Sequence, residues 1–285
     1  MCEVSQMEYK RGEKEWSFMK KTLIILFIIG LIITIVCGIG VVNQFQVESE
    51  KSKEVTENYH KVYDNNAEVK KLNVDLSNSN IKLKRGDQLK VESRGTNDKI
   101  NMNTTVKNGT LYVKDKPLDS NVDITFMDFK HNDVTITLPK SLSHLNVNTE
   151  SGSIMVDQIK ADYAKLYADV GKLNINHAKF DRLIAEVDVA DMHVTKTQFN
   201  SGEFKGDTGS IDIKDMPIDK PVKVKTDVGD ITMDYTDKQP NNTRIEFDSD
   251  VGELDINNHL FKNKQVGNGS NLIHIKTDTG DAEIN

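Results

Sequence analysis

A small residue recurs in one slot of the C-terminal half of this 285-residue chain: Gly152, Gly171, Ala190, Gly209, Gly229, Gly252 and Gly280, at intervals of 19, 19, 19, 20, 23 and 28 residues. Self-similarity near twenty residues points to a solenoid, in which each unit buries its apolar side only against its neighbours. The residues after the slot say which kind. "SIMV", "KLNIN", "DMHVT", "SIDIK", "DITMD", "ELDIN" and "DAEIN" are apolar at every second place, the two-residue period of a strand.

Aligned on the slot, the apolar residues form columns. One runs Ile154, Leu173, Met192, Ile211, Ile231, Leu254, Ala282, and a second Val156, Ile175, Val194, Ile213, Met233, Ile256, Ile284. A third precedes the slot by five residues: Val147, Leu166, Ala185, Phe204, Val224, Phe247, Ile275. Ala161, Phe180, Phe199 and Ile218 supply a further layer. A helical repeat would space its apolar residues by three and four, and propeller blades need about 40 residues each. The pattern predicts an all-β fold: a single-stranded parallel β-helix, or β-solenoid, with coils of about 19–20 residues. Each buried Ile or Leu contributes about 1.5–3 kcal/mol, so the columns alone make a core without metal or disulfide.

The rest of the chain divides around one apolar run. Residues 22–42, "TLIILFIIGLIITIVCGIGVV", carry no charge and are long enough to cross a bilayer as a helix. Lys10, Arg11, Lys14, Lys20 and Lys21 precede the run, and the next basic residue is Lys51. The positive-inside bias therefore predicts a single-pass signal anchor in the cell membrane, with a cytoplasmic tail (1–21) and everything after Val42 extracytoplasmic. Cleavage after Gly40 and a start at Met19 are the alternatives. Residues 43–68 are polar, lack Gly and Pro, and read as a partly helical stalk. Residues 69–144 alternate less regularly and read as irregular N-terminal coils; 145–285 are the regular repeats.

Charge separates these parts. Residues 43–144 carry 16 Lys+Arg and 15 Asp+Glu, whereas 145–285 carry 16 and 25. Binding nucleic acid needs a basic face to displace counterions from phosphate, and both this charge balance and the expected outside location argue against such a partner. With Cys2 and Cys37 the only cysteines, the outer domain can hold neither a disulfide nor a thiolate metal site.

Units such as "VKTDVGDITM", "FKGDTGSIDI" and "IHIKTDTGDAEI", behind an N-terminal span and a short linker, resemble the bacterial putative-adhesin family of β-strand-repeat proteins (domain of unknown function 4097). The likeness covers about residues 69–285. It implies a β-solenoid on the cell surface, similar to the accessory proteins of Lia-type envelope-stress systems in low-GC Gram-positive bacteria. It carries no catalytic residues to transfer.

The candidate chemistry lies in the acids around the slot. Glu150, Asp169, Asp188, Asp207, Asp227, Asp250 and Asp278 stand two residues before it, and Asp191, Asp230, Glu253 and Asp281 directly after it. Asp207, Asp227, Asp230, Asp250 and Asp278 are the candidate calcium ligands, since stacked hard oxygens can bridge ions. The local reading is a turn. Each acid caps the backbone two residues on as an Asx-turn, and Gly152, Gly171, Gly209, Gly229, Gly252 and Gly280 supply the φ > 0 that bends the coil. Like charges in a row repel by roughly 1 kcal/mol per pair at about 5 Å even in water, so basic partner groups or cations are expected beside them.

Other chemistry finds little support. The seven histidines share no column and form no zinc-type pair. There is no Gly-x-Ser-x-Gly, and the only Trp, Trp16, precedes the span. The C-terminal "DAEIN" ends one strand after its glycine, which makes that strand a candidate open edge for a partner. The alternative is that loop 257–272 folds over it.

These features predict a membrane-anchored binding or sensing module of the cell envelope, without catalytic residues or a cofactor. Cationic peptides, a cell-wall polymer or a neighbouring membrane protein are the expected partners. A structural adhesin and a polysaccharide-active β-helix enzyme are the other readings.

Overall fold

The computed structural model describes residues 56–64, 68–95, 101–116 and 132–285. The expected tail 1–21, the expected span 22–42 and residues 43–55 of the expected stalk lie outside the described residues. Among the described residues all regular structure is β, in 20 strands, and no helix is long and apolar enough to cross a membrane.

The N-terminal part supplies β1 (Thr56–Val62), β2 (Lys71–Asn78), β3 (Asn80–Arg85), β4 (Lys90–Gly95), β5 (Asn101–Lys107), β6 (Thr110–Lys116) and β7 (Asn132–Leu138). The middle of the chain winds through β8 (Leu142–Ser151), β9 (Ile154–Asp157), β10 (Lys160–Asn176), β11 (Lys179–Thr195), β12 (Gln198–Thr208) and β13 (Ile211–Lys214). The C-terminal part adds β14 (Val222–Val228), β15 (Ile231–Asp234), β16 (Thr243–Val251), β17 (Leu254–Ile256), β18 (Gln265–Val266), β19 (Asn271–Thr279) and β20 (Ala282–Ile284).

In the middle, sequence order is spatial order. β10 and β11 pair in parallel from Lys160↔Lys179 to Asn176↔Thr195, each running through its own corner at Gly171 or Ala190. β8 and β9 lie against the two arms of β10, and β12 and β13 against those of β11. Each coil thus has a long arm before the slot and a short arm after it. Alternation sends every second side chain inward: Leu166, Ala185, Phe204, Leu173, Met192 and Ile211 are all fully buried.

A second corner follows six residues after the slot, at Gln158, His177, Lys196 and Asp215, with φ of 58, 50, 49 and 56°. Side chains in this left-handed region cost about 1 kcal/mol, and no glycine marks the site. The buried neighbours Ile159, Ala178, Thr197 and Met216 anchor the bend from inside.

At both ends the order changes. β2 lies between β6 and β8, and β3 between β7 and β9, so the chain first makes an inner coil and then returns outward. The irregularity of 69–144 is antiparallel pairing in part: β4 with β7, and β5 with β6. At the other end β19 inserts between β14 and β16, and β20 between β15 and β17. The C-terminal strand is therefore an inner strand. The expected open edge at "DAEIN" is corrected: the outermost coil is β16–β17, because the longer connection 257–270 lets the chain step back over it.

The stalk expectation also needs correction. Thr56–Val62 is a strand, antiparallel to β4. The hydroxyls of Tyr59 and Tyr63 both reach Thr104 on β5, that of Tyr63 at 2.6 Å. The segment looked like a stalk because a largely exposed edge strand, with only Asn58 and Tyr59 half-buried, needs no apolar alternation; its attachment is backbone pairing plus two phenols.

Candidate functional site: the acid-lined corner

The corner at the recurring small residue is built by stacking. Its column runs Gly152, Gly171, Ala190, Gly209, Gly229, Gly280, Gly252, the last two reversed relative to the sequence by the insertion of β19–β20. Gly171 has φ 149°, and a Cβ there would lie 2.0 Å from the carbonyl oxygen of Gly152. Two constraints therefore meet: a left-handed backbone and a carbonyl pressed against the α-carbon. At Gly252 no positive φ occurs, and close approach alone excludes a side chain, since its Cβ would meet the Gly280 oxygen at 1.9 Å.

The acids two residues earlier stack in the order Glu150, Asp169, Asp188, Asp207, Asp227, Asp278, Asp250, as the registers on either side of each require. Among the described residues none of them caps the backbone two residues on. The chain there is an extended arm whose side chain points to solvent, away from the glycine N–H. Asp188 instead accepts the Tyr167 hydroxyl at 2.7 Å, and Asp227 accepts Lys225 Nζ at 2.6 Å. Asp188, by that hydrogen bond and its charge, together with burial and the nearby Asp169 and Asp207, pushes the Tyr167 phenol up to about 12.

A basic column missed by the sequence reading runs beside the acids. Lys205, Lys225 and Lys276 stack on adjacent coils. Lys276 lies 4.0 Å from Asp278. Hydrogen bonding to Asp227 raises the Lys225 ammonium above the usual lysine range. The repulsion expected within the acid row is thus partly relieved by the chain itself. The signal was present, since "KTDVG" and "KTDTG" both put Lys two before Asp, but only the register shows that these lysines align.

The acids directly after the slot have a different task. Asp191 Oδ1 accepts the Ser210 N–H at 3.1 Å, Asp230 Oδ1 that of Asp281 at 3.0 Å, and Asp281 Oδ1 that of Glu253 at 2.9 Å. Each carboxylate staples its coil to the next, and the bonds follow the reordered stack. Of the five candidate calcium ligands, Asp227 holds a lysine and Asp230 a backbone N–H, while Asp207, Asp250 and Asp278 continue the outer row. Among the described residues no three His, Cys, Asp or Glu side chains converge as a metal site requires.

Between the two acid sets lies an apolar row, also unforeseen. Val170, Val189, Val228 and Val251 occupy the position before the slot and are 49–66% exposed, and Ser151, Thr208 and Thr279 fill the other places of the same column. The corner therefore presents a full row of carboxylates on one side of an exposed ridge rich in valine and threonine, and carboxylates at four coils on the other.

Stacked two-armed coils with a tight small-residue corner define a β-solenoid. The Toastrack DUF4097 family model matches residues 69–285, and the chain belongs to that family. The solved structure of a putative adhesin from Bacteroides fragilis is similar in fold: 17% identity, 82% of this chain and 99% of that one covered, TM-score 0.51. Weaker likenesses are a putative cell adhesion protein from Clostridium sporogenes (15%, 81% and 99%, TM-score 0.38) and a putative lipid binding protein from Parabacteroides distasonis (12%, 82% and 98%, TM-score 0.42). No curated protein matches the chain.

Proposed function

We propose that the protein is a membrane-anchored, extracytoplasmic binding or sensing module of the bacterial cell envelope, an accessory of the envelope-stress response, that acts by capture rather than catalysis. The observation that carries this reading is the seven-coil acid row beside the exposed valine ridge. A continuous line of carboxylates produces a long-range field that concentrates cations, and the ridge offers apolar contact at the point of arrival. Cationic amphipathic peptides, or a basic face of a neighbouring membrane protein or wall polymer, fit both features. The apolar run 22–42 would hold the rod at the membrane where such partners arrive.

The test uses the full-length protein in detergent, immobilised, with a cationic amphipathic peptide as probe. Retention should fall by more than about tenfold between low and high salt, as screening over a Debye length of about 10 Å at 0.1 M requires. It should fall similarly when Asp169, Asp188, Asp207, Asp227 and Asp278 become Asn. Retention indifferent to both changes would sink the reading. Surface adhesion is the second reading, supported by the valine ridge and by the adhesin name of the Bacteroides protein. It predicts attachment that survives the Asn changes and fails when Val170, Val189 and Val228 become Ser.

A further inference from the structure

The reordered end of the solenoid leaves one strand half-paired. β16 is bonded along one side to β19 from Thr243↔Asn271 to Val251↔Thr279. On its other side, among the described residues, β18 covers only Thr243 and Arg244, and Ile245 N–H reaches the Lys264 carbonyl at 2.8 Å. From Glu246 onward that edge has no strand beside it. The inward side chains tell the same story. Phe247, Leu254 and Ile256 are only half-buried, whereas their counterparts Phe204, Val224, Ile275, Ile231 and Ile284 are fully buried. Backbone groups and apolar surface are both open at this coil, the condition under which sheets accept a further strand.

Charge selects the occupant. The outward residues of the coil include Glu246, Asp248, Asp250, Glu253 and Asp255, all exposed. A second copy meeting this end with its own end would set acid against acid. On the paired side the chain shows what suits these positions: Glu246 stands opposite His274, and Asp248 opposite Lys276, with His274 Nε2 3.0 Å from Asp248 Oδ2. We propose that the free edge of β16 is a docking site for an extended segment of a partner polypeptide whose basic side chains alternate with apolar ones. The partner's backbone pairs with β16, its apolar residues cover Phe247 and Leu254, and its basic residues face Glu246 and Asp248. The proposal rests on reading the rod as a binding module, and it gives that module a defined end.

The probe is a fluorescent peptide with the sequence of residues 271–277, NLIHIKT, the strand that already faces β16 from its other side. It is titrated into the full-length protein in detergent and followed by anisotropy. Two derivatives are N-methylated at alternate amides, one for each parity. A strand added to an edge turns one parity toward its partner and the other to solvent. One derivative should therefore bind about tenfold or more weaker, equivalent to about 1.4 kcal/mol, and the other within about threefold. Glu246→Lys with Asp248→Lys should weaken the parent peptide about tenfold while leaving circular dichroism unchanged, and Asp162→Asn, exposed on the distant β10, should leave its affinity unchanged. Equal binding by both derivatives, indifference to the charge reversal, or sedimentation showing self-association in place of peptide binding would each overturn the proposal. Loss of cationic-peptide retention on the acid row would not, since that row is tested by its own Asn changes and a different readout.

Discussion

The middle coils and the C-terminal coils are written in the same repeat and yet assemble differently. From β8 to β13 the slot recurs every 19 residues, and each coil lies on the one before it. Beyond β15 the intervals lengthen to 23 and 28, and the final coil slides beneath its predecessor. A coil that consumes all its residues in one turn has nowhere to go but the next level. One with a long connection can pass over a level at little cost, because loop-closure entropy grows only slowly with length. The middle is thus packed from both sides, while the outermost coil is packed from one.

That contrast is open to direct attack. The largest effect is expected at the corner: Gly171→Ala should lose about 3 kcal/mol or more, from left-handed strain plus a carbonyl clash. Gly252→Ala should lose about 1 kcal/mol, since the last coil can lift away from the clash. Denaturant unfolding of the two full-length variants measures the difference, and equal losses would break the comparison. Next comes the core. Leu173→Ala in the middle should cost about 2–5 kcal/mol, and Leu254→Ala at the end about 1 kcal/mol, in proportion to its partial burial.

Smaller, and opposite in sign, is a pair of hydroxyls. Thr226, Thr277 and Ser249 stack inside the reordered coils, and their hydroxyl oxygens meet no hydrogen-bond partner. Thr197 in the middle donates to the Thr195 carbonyl at 3.1 Å. Replacing an unsatisfied buried hydroxyl by a methyl removes a desolvation cost, so Thr277→Val should stabilise the protein by about 1 kcal/mol and Thr197→Val should destabilise it by a similar amount. Thermal melts of both would show whether the ends are less well satisfied than the middle.

The smallest effect concerns pH. Asp188 and its neighbours hold the Tyr167 phenol up to about 12, against about 10 in an unfolded chain. The neutral phenol is the favoured form in the fold, so its contribution is complete below about pH 10 and is lost as pH rises through about 12. Burial raises the Tyr63 and Tyr235 phenols as well, so the Tyr167 titration is read from the difference in tyrosinate absorbance between the full-length protein and Tyr167→Phe. Asp188→Asn should move it back toward the ordinary range, and an unshifted titration would mean the acid row exerts little field at the middle coils.

Much of this molecule was legible because its local rules repeat. The alternation of "DITMD" fixes which side chains point inward, and Gly171 is legible as a corner because no other residue fits both its φ and the carbonyl beside it. The second corner was not, since Gln158, His177, Lys196 and Asp215 share a conformation but no chemistry. β1 escaped for the opposite reason: an edge strand that buries little beyond Tyr59 carries too weak a pattern to read. At the candidate site, the acids were visible one by one. Their alignment with Lys225 and Lys276, and the division between outer-row and stapling carboxylates, required the register.

By itself, then, the sequence determined the coil: its period, its corner and its inside–outside alternation, all set by sterics and strand periodicity within about twenty residues. Only the tertiary structure decided the order of the coils. Parallel coils in identical register offer one another nearly the same backbone bonds, so local pattern cannot choose between neighbours. The choice falls to summed side-chain matches, such as His274 on Asp248 and Asp281 between Asp230 and Glu253, and to connections long enough to permit it.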